Sequence, residues 1–295
     1  MEEVEGIVVS ETNYSETSKI LNVITKEHGL IGIISKGCRS LKSPLRSASA
    51  KLTYGKFMIY YKEGKLSTLT EVNIINPFKK LKKDITKISY ASYLLELAEQ
   101  VYKQNNSDDI LNLLIEALTK IDEEFDPLVI MDILELKYLD YLGVMPVIDS
   151  CAVCGKKENI VTLSSYKGGY LCKDCYTNEK MVSEKTIKLI RLFYYVDISK
   201  ISKLELSQQA KNEINIFLND YYDRYTGLYL KSKKFIRDLQ KIGYWKISFL
   251  YAKILWKKQD LTGGGGGDII IPVEKRGLLY VSNKCSIRWI CKSSR

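Results

Sequence analysis

Two Cys-x2-Cys pairs constrain this chain more than any other feature: Cys151-Ala152-Val153-Cys154 and Cys172-Lys173-Asp174-Cys175, with 17 residues between them. Four thiolates at that spacing can meet around one tetrahedral ion, and four protein ligands fill its shell, leaving no position for water or substrate. The spacing predicts one structural Zn2+ per chain in a zinc ribbon, the alternative being two disulfides or free thiols. Lys167-Gly168-Gly169 is placed to turn a hairpin between the knuckles. Paired thiols suit a reducing compartment. The chain starts Met1-Glu2-Glu3 with no basic or apolar leader, and no window reaches the ~18 apolar residues of a membrane span, so a cytoplasmic protein with no membrane partner is expected. Cys38 reads as a small packing residue, and Cys285 and Cys291 receive no role.

The residues around this module divide by periodicity. Gly6–Ser10, Lys19–Thr25, Leu30–Ser35, Leu52–Tyr61 and Leu66–Ile75 read as strands, with turns at residues 26–29 and at Glu63-Gly64. Five strands with one long, flexible polar loop from Lys36 to Ala50 suit a small barrel of the OB type, a meander sheet fitting nearly as well. From Lys79 the period becomes helical. Ile85, Ile88, Tyr93, Leu94, Leu97 and Val101 share a face that ends at Asn105-Asn106. Ser107, Asp126 before Pro127, Ser183 and Ser207 are cap signals for further helices, and Gly143 and Gly227 are stops. The expected fold is therefore α+β. An N-terminal OB-fold β-barrel (1–78) precedes a helical domain in two parts (79–150 and 177–242) that carries the four-cysteine zinc ribbon (151–176). Residues 243–295 stand apart, holding all three tryptophans and the run Gly263–Gly267, which predicts a flexible break.

The net charge of +10 points to nucleic acid only once it is located. Residues 243–295 hold ten Lys or Arg against three acids, and the first 242 residues are nearly balanced. Within those, no acid falls between Glu27 and Glu63, while Lys36, Arg39, Lys42, Arg46, Lys51, Lys56 and Lys62 do. The first six are candidate phosphate contacts, a solvated loop being the alternative. Tyr54, Phe57, Tyr60 and Tyr61 are aromatic candidates for base stacking, of which only one or two should face outward. Catalysis lacks parts. The single histidine, His28, sits in a polar turn, and neither G-x-x-x-x-G-K-[ST] nor G-x-G-x-x-G occurs. The acidic pairs suit helix starts and loops, so no enzyme is expected. A nucleic-acid-processing enzyme and a protein-interaction scaffold are the alternatives.

Taken in order, Gly6-Ile7-Val8, Tyr14 and Glu16, Thr25-Lys26-Glu27-His28-Gly29, the Lys36-Gly37-Cys38-Arg39 to Lys42-Ser43 loop, Leu139 to Pro146, the first knuckle, Gly168-Gly169 and the second knuckle resemble the RecO family of bacterial recombination mediators over about 240 residues. The resemblance implies an OB domain, a helical domain and a zinc module. It implies binding of single- and double-stranded DNA, strand annealing in the RecFOR repair pathway, and a nucleoid-associated cytoplasmic location. It also implies partnership with RecR, single-stranded-DNA-binding protein and, indirectly, RecA. By position, Lys36, Arg39, Lys42 and Arg46 match the family's basic loop, and Cys151, Cys154, Cys172 and Cys175 its zinc ligands.

Overall fold

The alternating pattern of the first 76 residues becomes five strands: β1 (Glu2–Tyr14), β2 (Ser18–Thr25), β3 (Gly29–Ser35), β4 (Tyr54–Tyr60) and β5 (Ser67–Asn76). In this computed structural model, which describes residues 1–233, 235 and 236 and the backbone of 269–273, 278–283 and 286–291, they close a barrel in the order β1-β2-β3-β5-β4. Closure needs a parallel step, and Ile33 and Ile34 of β3 pair with Ser67 and Thr68 of β5. With a helical turn, α1 (Leu45–Ala48), between β3 and β4, this is an OB-type topology, and the meander is set aside. Gly6 faces Gly55 across β1 and β4. A Cβ at either would strike a backbone carbonyl, Ile24 O or Asn73 O, so the strands close this tightly because both positions are bare. Val4, Val8, Leu21, Val23, Ile33, Phe57, Ile59 and Leu69 fill the interior.

The Lys36–Ala50 loop is more ordered than its composition predicts. Cys38, Ala48 and Ser49 are buried, Ser35 and Ser49 share a 2.7 Å hydroxyl contact, and the Arg39 amide donates to Thr17 O at 2.8 Å. Buried anchors at both ends hold a polar segment that sequence periodicity cannot register.

Five longer helices follow: α2 (Ile85–Gln104), α3 (Asp109–Asp122), α4 (Pro127–Tyr141), α5 (Glu184–Tyr195) and α6 (Gln208–Tyr225). Asp126, Ser183 and Ser207 cap α4, α5 and α6 as expected. Two starts differ. The helical period read from Lys79 opens with a short 3-10 turn at Leu81–Lys83, and α2 itself starts at Ile85, capped by Asp84, which accepts from the Thr86 and Lys87 amides. At α3 the boundary residue is Asp108, with no side-chain cap, and Ser107 Oγ reaches only the Asp109 amide at 3.4 Å. Helix α4 is buried along nearly its whole circumference, and packs against α2, α3, α5 and α6. It even buries Asp132 and Glu135: Asn215 of α6 donates to Asp132 at 3.0 Å, and Tyr93 of α2 donates to Glu135. Burial, reinforced by Glu135, drives the Asp132 carboxyl well above its ordinary range, which favours the neutral acid.

Between α4 and α5 lies a hairpin of β6 (Ile160–Ser164) and β7 (Gly169–Cys172). Gly169 has φ +152, and a Cβ there would overlap the Val147 carbonyl, so glycine is what lets β7 bridge to Val147.

The chain forms two compact units, Met1–Lys233 and Lys234–Arg295. In the second, β8 (Ile269–Val273), β9 (Leu278–Asn283) and β10 (Ser286–Cys291) form an antiparallel sheet in the order β10-β9-β8. The predicted glycine break at Gly263–Gly267 and the helix end near Ile242 lie outside the described residues. Among the described residues no helix is long and apolar enough to cross a membrane.

Candidate functional site

Cys151 and Cys154 come from the turn entering the hairpin, Cys172 ends β7, and Cys175 lies on the turn after it. Each knuckle is closed by its own backbone. Gly155 N donates to Cys151 O at 2.9 Å, and the Cys175 and Tyr176 amides donate to Cys172 O at 3.1 and 3.0 Å. The four sulfurs lie within 4.8 Å of one another, the only such group of potential metal ligands among the described residues. Cys154 Sγ and Cys172 Sγ are 3.6 Å apart, far beyond the ~2.05 Å of a disulfide. Tetrahedral thiolates around an ion at ~2.3 Å stand about 3.8 Å apart, so the donor set and its spacing fit a thiolate-preferring metal. Burial would push the Cys151 thiol up, but amides of Cys172, Cys154 and Val153 outweigh it and bring it to about 6. The Cys154 sulfur pushes the Cys175 thiol up to about 12. Thiols this crowded cannot all ionise alone, and a bound cation would supply the charge that lets them.

The six candidate phosphate contacts separate into two groups. Lys36, Arg39, Lys42 and Arg46 are exposed on the loop between β3 and β4. Arg39 Nη1 donates to Ser15 O at 3.1 Å, and the Gly37 amide donates to Ser18 Oγ at 3.3 Å, which stitches the loop to the β1–β2 turn and the start of β2. Among the described residues no carboxylate pairs with Lys36, Lys42 or Arg46. Lys51 and Lys56 are placed differently. Lys51 Nζ donates to Ser92 O of α2 at 3.2 Å, and burial lowers its pKa against the pull of Glu96, Glu99 and Glu11, so it braces the barrel on the helices. Lys56 is exposed on β4 but pairs with Glu3 at 2.9 Å, which raises its pKa.

Of the aromatic candidates, Tyr54 and Phe57 are buried, and Tyr60 is exposed. Tyr61 stacks on His28, with centroids 3.9 Å apart and rings 10° from parallel, while His28 Nε2 meets Glu2 Oε1 at 3.0 Å. From sequence His28 reads as a plain turn residue, and no local signal links it to a tyrosine 33 positions away. The acids Asp122, Glu123 and Glu124 are spent on the Leu81 amide, Lys120 and Lys80.

Comparison with known proteins agrees with this architecture. The barrel, residues 1–78, matches the family model for the recombination protein O N terminal, and residues 82–234 match the one for the recombination protein O C terminal. A Listeria monocytogenes serotype 4a protein described as "DNA repair protein RecO" is 34% identical over 245 residues, 82% of this chain and 96% of its own length. A Bacillus pumilus protein of the same description is 35% identical over 242 residues, 81% of this chain and 94% of that one. One from Bacillus cytotoxicus is 35% identical over 246 residues, covering 81% and 98%. An OB-type barrel, a helical domain interrupted by four clustered cysteines, and matched segments spanning both place this chain in the RecO family of DNA repair proteins.

Proposed function

We propose that this protein is a non-enzymatic DNA-binding recombination mediator. It binds and anneals single-stranded DNA, also engages duplex DNA, and helps load the recombinase. The observation that carries this reading is the loop from Lys36 to Arg46. Its exposed cations, unpaired by carboxylates among the described residues, are fixed by Arg39 and Gly37 against the β1–β2 turn of an OB-type barrel. OB barrels bind single strands by pairing such a positive groove with exposed rings, and Tyr60 is available on β4. Lys51 and Lys56, the other two candidate contacts, are engaged by Ser92 O and by Glu3 and would have to exchange those partners for phosphate. RecR, single-stranded-DNA-binding protein and, indirectly, RecA are the partners that family membership suggests. The four cysteines hold one structural Zn2+, which neutralises the thiolates and crosslinks the knuckles. A non-catalytic role is supported by His28, the single histidine, being engaged with Tyr61 and Glu2.

The test is a salt titration. Replacing Lys36, Arg39, Lys42 and Arg46 by Ala should weaken single-strand binding and make the slope of log affinity against log salt shallower by roughly 0.7 per lost phosphate contact. An unchanged slope removes the loop from the DNA site. Cleavage of labelled strands by pure protein with Mg2+ would overturn the non-enzymatic assignment.

A further inference from the structure

The turn of the β6–β7 hairpin carries Tyr166, whose side chain the fold does not use for packing: the residue is 74% exposed. Its backbone, by contrast, is fixed. Tyr225 of α6 donates its hydroxyl to Tyr166 O at 3.1 Å. The Tyr225 ring lies 4.4 Å from Tyr221, and Tyr221 lies 5.4 Å from Phe217, so the turn is tied to a ladder of rings rooted in the helical core. Lys167 locks the other side, its Nζ donating to Cys175 O at 3.0 Å and pairing with Glu179 at 3.0 Å. Lys167 is therefore not free to bind a ligand, but it makes the turn a rigid support.

Over the Tyr166 ring stands the guanidinium of Arg224, 5.5 Å from the centroid. Arg224 is exposed, and among the described residues it pairs with no carboxylate. A ring that only braced the hairpin would be covered, and an arginine that only served solubility would not need to sit on it. An open tyrosine face beside an unneutralised guanidinium is the combination that takes an unpaired base and its phosphate. In a duplex the base faces are occupied by their neighbours. The group recorded over the Tyr166 ring is a guanidinium, which suits an anionic partner better than a purely apolar one.

We propose that Tyr166 and Arg224 form a second contact for single-stranded nucleic acid, in which Tyr166 stacks on a base and Arg224 meets the adjoining phosphate, apart from the phosphate contacts of the barrel loop. This rests on the single-strand reading above and assigns the metal-stapled hairpin a role in reading exposed bases.

The experiment compares the full chain's affinity for an oligothymidylate and for an abasic strand of equal length, at fixed salt. Wild type should favour the base-bearing strand by about tenfold, within the range of one base stacked on one aromatic ring. Tyr166→Ala should lower that preference several-fold, leaving only what Tyr60 of the barrel contributes, Tyr166→Phe should keep it in full, and Arg224→Ala should reduce the salt slope by about 0.7. Zinc content of each variant reports whether the hairpin is intact. Equal wild-type affinity for the two strands, or a Tyr166→Ala loss that is the same for both, overturns the base contact while leaving the barrel loop standing. Failure of wild type to bind either strand instead removes the single-strand reading itself.

Discussion

Replacing one ligand of the cysteine cluster, Cys172→Ser, should open the knuckles and leave the rest of the molecule folded. The magnitudes come from the cluster's own core, which consists of three buried residues, Cys151, Leu171 and Cys172, backed by Ile160 and Cys175. Burying Leu171 contributes about 2 kcal/mol, and the two smaller cysteines add less. A structural zinc ion contributes about 10 kcal/mol or more at neutral pH. The metal outweighs the packing, so its loss should release the amides that close the knuckles: Cys151 to Lys156 O, Gly155 to Cys151 O, and Cys175 and Tyr176 to Cys172 O. The hairpin behind them has independent anchors in the Gly169–Val147 bridge, the Tyr170 hydroxyl on Ile187 O and the Thr162 hydroxyl on Lys180 O at 2.7 Å. Hydrogen exchange read by mass spectrometry, with a dye for released zinc, should show fast exchange in peptides covering 151–157 and 172–177. Peptides from α4 should stay protected. Full zinc in the variant, or exchange rising equally throughout the chain, would show that the metal does not hold the knuckles in this way.

Two further outcomes concern the helical core and the hairpin's seat. Asp132 is 1% exposed and burial raises its carboxyl well above the ordinary value, so the folded state holds this proton more tightly than the unfolded chain, which releases it near pH 4. Stability should therefore fall as pH rises above that point, and Asp132→Asn should flatten the slope; urea midpoints at pH 5 and 8 that shift equally in both proteins would contradict this. Gly169→Ala forces a side chain into the +152° φ region and into the Val147 carbonyl, and should cost about 2 kcal/mol in urea melts. Gly64→Ala, at φ +65 with open space around it, should cost less, and equal losses would show that the Val147 contact does not matter.

What the sequence discloses here is what local chemistry decides. Knuckle spacing reports the four-cysteine cluster because each pair is set by residues close along the chain, and Asp126-Pro127, Ser183 and Ser207 report helix starts because a cap bonds amides two or three residues away. The barrel loop is legible as a run of cations but not as an ordered one, since its order comes from Thr17 and Ser18 on another strand and its turn. Lys51 shows the same limit, reading as one more cation until α2 supplies Ser92 O. Asp132 and Glu135 would ordinarily mark a solvent face. Only the arrival of Tyr93 and Asn215 from distant helices accounts for their burial.

The position of the metal module within the bundle also bears on how the chain assembles. Helix α4 needs α5 and α6 to cover it, yet residues 142–183 separate it from α5. During synthesis its apolar surface must wait for that connection and both later helices to emerge, an interval in which chaperones or other chains can capture it. An ion joining Cys151 to Cys175 roughly halves the free length of the connection, which lowers the entropic cost of closing it by about 0.6 kcal/mol. If the cluster holds the ion proposed above, metal supply becomes a kinetic variable in the maturation of this protein, acting on the rate at which α4 is covered as well as on the finished fold.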